Sequence, residues 1–147
     1  AGDDRWPLMV KSIKPTNLQY TAMNWPICPD GFYDTVMRCW KDYGKPIIVT
    51  ENGAAFDDEV IRNELVRDEK RIRYLESHLS ALHRAISDGA DVRGYMVWSS
   101  FDNFEWALGY KKRFGLVYVD YKDQRRIMKD SGKWYADVIR RNGLEKD

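Results

Sequence analysis

Eight residues, Pro46-Ile47-Ile48-Val49-Thr50-Glu51-Asn52-Gly53, restrict this chain more than any other stretch. A run of β-branched residues opens on proline, closes on a carboxylate, and breaks at Asn-Gly. Ile, Ile and Val in succession do not alternate with polar residues, so both faces of the strand are expected to be covered, as in parallel α/β sheets. Asn and Gly both tolerate positive φ, which predicts a turn there. Glu51 then stands where a buried strand ends and a loop begins. In α/β barrels the chemistry collects at that edge. The structural alternative is a strand-end carboxylate paired with a neighbouring Arg or Lys.

The surrounding pattern repeats the theme. Residues 1–30 hold four of the five prolines (Pro7, Pro15, Pro26, Pro29) and no sustained period. Trp6, Tyr20 and Trp25 argue against a disordered tail, so this stretch reads as a long loop lying across something. A helix follows, with Asp30 as cap, Phe32, Val36, Met37 and Trp40 at helical spacing, and Gly44 as stop. After the strand comes a polar loop from Asn52 to about Arg67. Asp68 caps the longest helix, whose apolar face is Ile72, Leu75, Leu79, Leu82 and Ile86, and Gly89 ends it. His78 and His83 do not share a face of it and read as surface or boundary residues. Gly94-Tyr95-Met96-Val97-Trp98 predicts a second buried strand, opening into an aromatic, charged loop from Ser99 to Gly115. Leu116–Val119 is a short extended piece before a turn near Lys122-Asp123. The last helix starts near Ser131, turns Trp134, Val138 and Ile139 inward, and stops at Gly143.

These elements make two consecutive β/α units, with right-handed crossovers and no internal repeat. Two parallel strands alone leave edges and faces uncovered, so they belong to a larger sheet. At 147 residues the chain is long enough for one domain with a core. A complete barrel of eight units takes about 250 residues. Lys and Arg number 24 against 23 Asp and Glu, interspersed, which speaks against nucleic acid or an anionic membrane as partner. No apolar run approaches the roughly 20 residues of a membrane span. Cys28 and Cys39 lack any metal-binding spacing and are expected as buried free thiols, with a disulfide left open. Six Trp and nine Tyr fall partly in loops, as lids over a core or as platforms for sugar faces.

The two strand ends and their loops resemble family 1 of the glycoside hydrolases, the β-glucosidase family. The resemblance rests on Ile48-Val49-Thr50-Glu51-Asn52-Gly53 and on Val97-Trp98-Ser99-Ser100-Phe101-Asp102-Asn103-Phe104-Glu105-Trp106. Gly109-Tyr110, Arg113 to Asp120, Lys129-Asp130-Ser131 and Trp134-Tyr135 extend it over nearly all of the chain from about residue 24. It implies a (β/α)8 TIM barrel, of which this chain supplies roughly the last two β/α units, strands seven and eight with their flanking helices. Residues 1–147 would be the C-terminal portion of one glycosidase domain, with 1–30 leading in. Glu51 matches the nucleophile of a retaining reaction, which forms a covalent glycosyl-enzyme that water later hydrolyses. Trp98 matches an indole facing the sugar, and Glu105 with Trp106 matches the pair that reads its hydroxyls. A glutamate at 105 repels phosphate, so the resemblance implies an unphosphorylated β-glucoside or oligosaccharide. Phe114 matches an aromatic wall of the same pocket. The Trp98–Ser99 peptide is expected to be cis. No cofactor and no metal are implied.

One family feature is absent. The acid/base glutamate lies in Asn-Glu-Pro, and this chain has only Asn63-Glu64-Leu65, in a predicted loop. Glu105 matches a hydroxyl-binding position away from the leaving group and does not replace it. The expected partner is therefore the N-terminal remainder of the barrel, as another chain or segment. A non-catalytic sugar-binding piece and a self-associating piece are the alternatives.

Overall fold

The computed structural model describes residues 14–58, 60–61 and 65–144. Trp6, Pro7 and the Asn63-Glu64 pair of the sequence reading lie outside them. Pro29 opens α1 (Pro29–Tyr43), where its missing N–H would have had no helical partner anyway. Asp30 is thus in the first turn, not at the cap, and its carboxylate meets Arg84 at 2.7 Å. Gly44 closes the helix in the left-handed region (φ 56°), donating its N–H to Trp40 O. Next come β1 (Ile47–Asn52), a small antiparallel pair of β2 (Val60–Ile61) and β3 (Leu65–Val66), α2 (Glu69–Ser87) and β4 (Val92–Val97). A second antiparallel pair, β5 (Val117–Val119) and β6 (Arg126–Met128), precedes α3 (Asp130–Arg141). β2, β3 and β6 are two or three residues long, too short to show a period of two, so the sequence pattern missed them.

β1 and β4 pair in parallel, with α1 and α2 packed on one face. Val36 and Met37 of α1 meet Leu82 and Ala85 of α2 and Ala90, over half-buried Ile47, Val49, Val92 and Tyr95. The opposite face is open: Ile48 is 54% exposed and Met96 53%. The expectation of strands covered on both faces is therefore corrected. Among the described residues only one layer of helices lies against them.

A second cluster fills the space under the C-terminal strand ends. Ala54 and Phe56 pack on Tyr74 and Leu75 of α2, with Ile27, Val97, Leu116 and Trp134 around them. The segment before α1 crosses this end, its Ala22 N–H bonded to Ala55 O at 2.9 Å and its Ala22 carbonyl accepting from Lys112 Nζ at 2.6 Å. Asp68 begins α2 as expected, but its side chain serves another helix. Its Oδ1 accepts the Ser131 N–H at 2.8 Å, satisfying a free donor in the first turn of α3.

Three further expectations change. Ile139 is 63% exposed, because α3 meets the core through Val138 and half-buried Trp134. His78 is buried, its ring stacked on Tyr74 at 4.0 Å between centroids. Cys28 and Cys39 are free thiols but exposed, on the surface side of the α1 region.

Candidate active site

A one-residue slip aims Glu51. Between the pairs Val49–Tyr95 and Asn52–Val97, β1 advances three residues while β4 advances two. The extra residue makes a β-bulge, which resets the alternation of side chains. Asn52 consequently turns to the same side as Tyr95, whose hydroxyl donates to Asn52 Oδ1 at 2.8 Å. Glu51 is left lining an open cavity on the other side. Among the described residues no Arg or Lys bridges it, so the alternative of a structural ion pair finds no support.

Gly53 matters for a different reason from the one its turn context suggested. Its φ is not in the left-handed region. Its Cα lies against the Trp98 carbonyl, and a Cβ there would stand 1.7 Å from that oxygen. Strand end β1 therefore approaches strand end β4 at van der Waals limit, and the Trp98 N–H donates to Asn52 O at 3.0 Å. The Trp98–Ser99 peptide is cis, as expected.

Beyond Trp98 the chain folds on itself to present Glu105 and Trp106. Ser99 Oγ donates to the Phe101 carbonyl (2.6 Å) and lies 3.1 Å from Asn103 Oδ1. Asn103 Nδ2 in turn donates to Glu105 Oε2 at 3.3 Å. The Glu105 N–H bonds to Gly109 O at 2.7 Å across a single 3₁₀ turn, with Trp106 (φ 41°) and Gly109 (φ 57°) both left-handed. Trp106 is 84% exposed, its indole turned outward from the loop. Phe114 is 1% exposed and sits 6.0 Å from the Trp25 ring.

Glu51, Trp98, Glu105, Trp106 and Phe114 all line one cavity of about 410 Å³. Those are the five residues singled out from the sequence, brought together from positions spread over 64 places of chain. Trp25 and Tyr74 share the lining and were not singled out. Trp25 lay in a proline-rich loop and Tyr74 on a helix, and neither context flags a pocket. A larger groove of about 560 Å³ runs between α2 and α3, lined by Leu79, Leu82, Ile86, Val138 and Ile139. No carboxylate is among the described residues that line it, whereas Glu51 and Glu105 line the smaller cavity.

Below the cavity lies a buried knot of six charges. Arg71 is bidentate to Asp58 (3.0 and 2.8 Å), pairs with Asp68, and donates to Arg113 O at 2.7 Å. Lys129 Nζ bridges Asp58 (2.5 Å) and Asp102 (2.8 Å). Arg113 pairs with Asp102 at 2.7 Å and lies over the rings of Tyr118 and Tyr121. Asp102 also accepts the Gly115 and Val119 N–H groups. Three cations thus balance three carboxylates, as burial of charge requires. Burial, reinforced by Arg71, holds the Lys129 ammonium below its usual pKa range against the pull of the two aspartates. The knot ties the loop carrying Phe114 and the start of the Glu105 loop to α2 and α3.

The sequence matches the model of Glycosyl hydrolase family 1 over residues 6–144. A β-glucosidase A of Thermotoga maritima is 52% identical over 135 residues, 91% of this chain and 30% of that protein. A 1,4-β-D-glucan glucohydrolase of Thermotoga neapolitana is 54% identical over 143 residues, 97% of this chain and 32% of that protein. The solved structure of a family 1 β-glucosidase from Thermotoga maritima superposes with a TM-score of 0.93 at 47% identity, covering 99% of this chain and 33% of that one. The Thermotoga maritima β-glucosidase in complex with glucoimidazole gives 0.86 at 50% identity, over 88% of this chain and 30% of the other. The chain spans about 30% of the length of the relatives it matches, and its two β/α units have the fold of the C-terminal part of a (β/α)8 barrel. By its motifs, its fold and a match that runs over almost its whole length, the chain belongs to glycosyl hydrolase family 1.

Proposed function

We propose that this chain supplies the nucleophile and part of the sugar subsite of a retaining β-glucosidase acting on unphosphorylated β-glucosides. One observation carries the reading: Glu51, Trp98, Glu105, Trp106 and Phe114 converge on a single cavity at the ends of two parallel strands. The names of the similar proteins, β-glucosidase and glucan glucohydrolase, support it. Residues 1–147 form the C-terminal portion of one glycosidase domain, with 1–30 leading in. The N-terminal remainder of the barrel, as another chain or segment, covers the open face marked by Ile48 and Met96 and brings the acid/base glutamate.

In this reading a Glu51 oxygen bonds to the anomeric carbon while the glycosidic C–O bond breaks. The leaving oxygen takes the electron pair and a proton from the acid outside this chain. Water then attacks the same carbon, giving its proton to that same group now acting as base, and the bond to Glu51 breaks with its electron pair returning to the carboxylate. The face of Trp98 covers the apolar side of the ring, Phe114 backs the wall of the same pocket, and Glu105 and the Trp106 N–H bind its hydroxyls. A sugar with one hydroxyl inverted leaves one of these partners unpaired, which is the source of selectivity.

The test is the native mass of the active preparation together with labelling by a dinitrophenyl β-glucoside fluorinated beside the anomeric carbon. That leaving group departs without a proton. A glucosyl adduct on the peptide containing Glu51, in a species with a second, larger polypeptide at equal stoichiometry, is the expected result. Glucose binding with no adduct marks a non-catalytic sugar-binding piece. A concentration-dependent oligomer of this chain alone that ignores sugars marks self-association through the open strand face.

A further inference from the structure

Glu105 stands on a loop whose own packing does not aim its side chain. Its neighbour Trp106 is 84% exposed, and Glu105 itself is half-buried. The backbone is fixed there, the Glu105 N–H bonding to Gly109 O at 2.7 Å and its carbonyl accepting the Leu108 N–H at 2.8 Å. Those bonds still leave the glutamate side chain a choice of rotamers. Among the described residues one group bonds its carboxylate: Asn103 Nδ2, 3.3 Å from Oε2.

The Asn103 amide is itself held in one orientation. Its two N–H hydrogens meet two acceptors, Glu105 Oε2 and the Phe104 carbonyl at 3.2 Å. Neither a carbonyl nor a carboxylate donates, so a flipped amide would set oxygen against oxygen at both places. The amide oxygen then faces Ser99 Oγ at 3.1 Å, a hydroxyl that shares its proton with the Phe101 carbonyl at 2.6 Å. Ser99 is buried, and its carbonyl accepts the Leu116 N–H at 2.9 Å. Next to Asn103, the Asp102 N–H donates to Val117 O at 3.0 Å, and the Asp102 carboxylate belongs to the buried knot. Asn103 thus joins a stretch bonded to the start of β5 with a carboxylate on an open loop.

One bond to Oε2 leaves Oε1 and the remaining lone pairs free for sugar hydroxyls. We propose that Asn103 is the positioning residue for Glu105, aiming its carboxylate and so setting which sugar hydroxyls are recognised. Asn103 is not among the described residues lining the cavity, so it acts through Glu105 and not on the sugar. The inference rests on the reading that Glu105 binds hydroxyls.

Asn103→Asp keeps the shape and the acceptor for Ser99 but sets a carboxylate where Glu105 has its donor. Asn103→Ala removes the donor without adding charge, and carries the test alone if the aspartate variant does not fold. In the assembled enzyme, tryptophan fluorescence gives the dissociation constants of glucose and of its 2-, 3-, 4- and 6-deoxy forms. Glu105→Ala on the same panel marks the hydroxyls that Glu105 binds, whose removal costs affinity in the parent and less in the variant. Both Asn103 variants should bind glucose about three- to thirtyfold more weakly, within the range of coupling between neighbouring groups. The loss should shrink for a deoxy sugar lacking a marked hydroxyl and stay as large as for glucose with the others. Adding Asn103→Asp to Glu105→Ala should weaken glucose by no more than about twofold further, because the residue it acts through is gone. Parent affinity for glucose in both Asn103 variants overturns the proposal. An equal loss on every sugar does so too, since general damage to the cavity has no hydroxyl pattern. If Glu105→Ala itself shows no hydroxyl pattern, or the parent binds none of these sugars, the reading of Glu105 has failed and the proposal falls with it.

Discussion

Replacing Lys129 by Met removes one charge from the buried knot without changing its volume much. The Lys129 side chain is 0% exposed, and its two partners are 1% and 0% exposed. Two charge-assisted bonds are lost, each worth about 1.5–3 kcal/mol when buried. Against this, the substitution removes a cation that burial already disfavours, as its lowered pKa records. Asp58 keeps its bidentate bond to Arg71, and Asp102 keeps Arg113 and two N–H groups. The knot is left with one uncompensated negative charge, for which breaking a buried pair typically costs about 3–5 kcal/mol. The low end, about 3 kcal/mol, is expected here because no carboxylate is left without partners. In urea unfolding followed by tryptophan fluorescence, with a slope of about 2 kcal/mol/M, the midpoint should fall by about 1.5 M. Adding Asp102→Asn should recover part of the loss by restoring neutrality, so the pair should be less than additive. A midpoint within about 0.3 M of the parent, or a rise, would show that the ionic knot does not hold this end of the fold together.

Glu51→Gln should abolish turnover while leaving sugar affinity largely intact, and a residual rate within about tenfold of the parent identifies the wrong carboxylate. Gly53→Ala drives a Cβ into the Trp98 carbonyl, so strand end and indole must part. The expected loss is about 1–3 kcal/mol or more, as for overpacking, with quenched or shifted Trp98 emission, and a neutral effect on both would contradict the close approach. His78 supplies a pH dependence. Burial lowers its pKa from the usual 6.5, partly offset by its bond to the Tyr74 carbonyl. Above about pH 6.5 it is neutral folded and unfolded and contributes no slope. As pH falls below that, the unfolded chain takes the proton first, so stability declines until the folded His78 also titrates. His78→Phe should flatten that part of the stability profile, and an unchanged slope in the variant assigns the decline to other groups.

What could be read from the sequence was local chemistry at strand ends. Glu51 and Trp98 follow directly on β-rich runs, and Glu105, Trp106 and Phe114 fall in the loop that the second run opens. The helical spacing of Val36, Met37, Leu75 and Leu82 likewise located both faces of the helical layer. What escaped was pairing at a distance. Lys129 meets Asp58 across 71 residues, and Asp68 meets Ser131 across 63, with no periodicity to announce either. His78 looked like a boundary residue because its partner is an aromatic ring one helical turn away, and stacking leaves no mark in hydropathy. Gly53 was noticed, but a turn explains it less well than the carbonyl pressed against it.

The same division separates the groups that line the cavity from the groups that hold them. Glu51 is near the end of β1, and Trp98, Glu105, Trp106 and Phe114 lie along the loops between β4 and β5, which by themselves would sample many arrangements. The holding residues are buried and charged or hydroxyl-bearing, and they reach those loops from behind, from α2 and α3. Asp68 joins the start of α2 to the start of α3, Arg71 and Lys129 meet at Asp58, and Asp102 ties Lys129 to the backbone at Gly115 beside Phe114. Tyr95 reaches Asn52 beside Glu51. α2 brings Arg71 into the knot and, three residues on and on nearly the same face, Tyr74 against Ala54 and Phe56 in the wall of the cavity. A shift of α2 along its axis would therefore move the Tyr74 wall of the cavity and the loop held by the knot together. Their spacing is protected because one helix supports both.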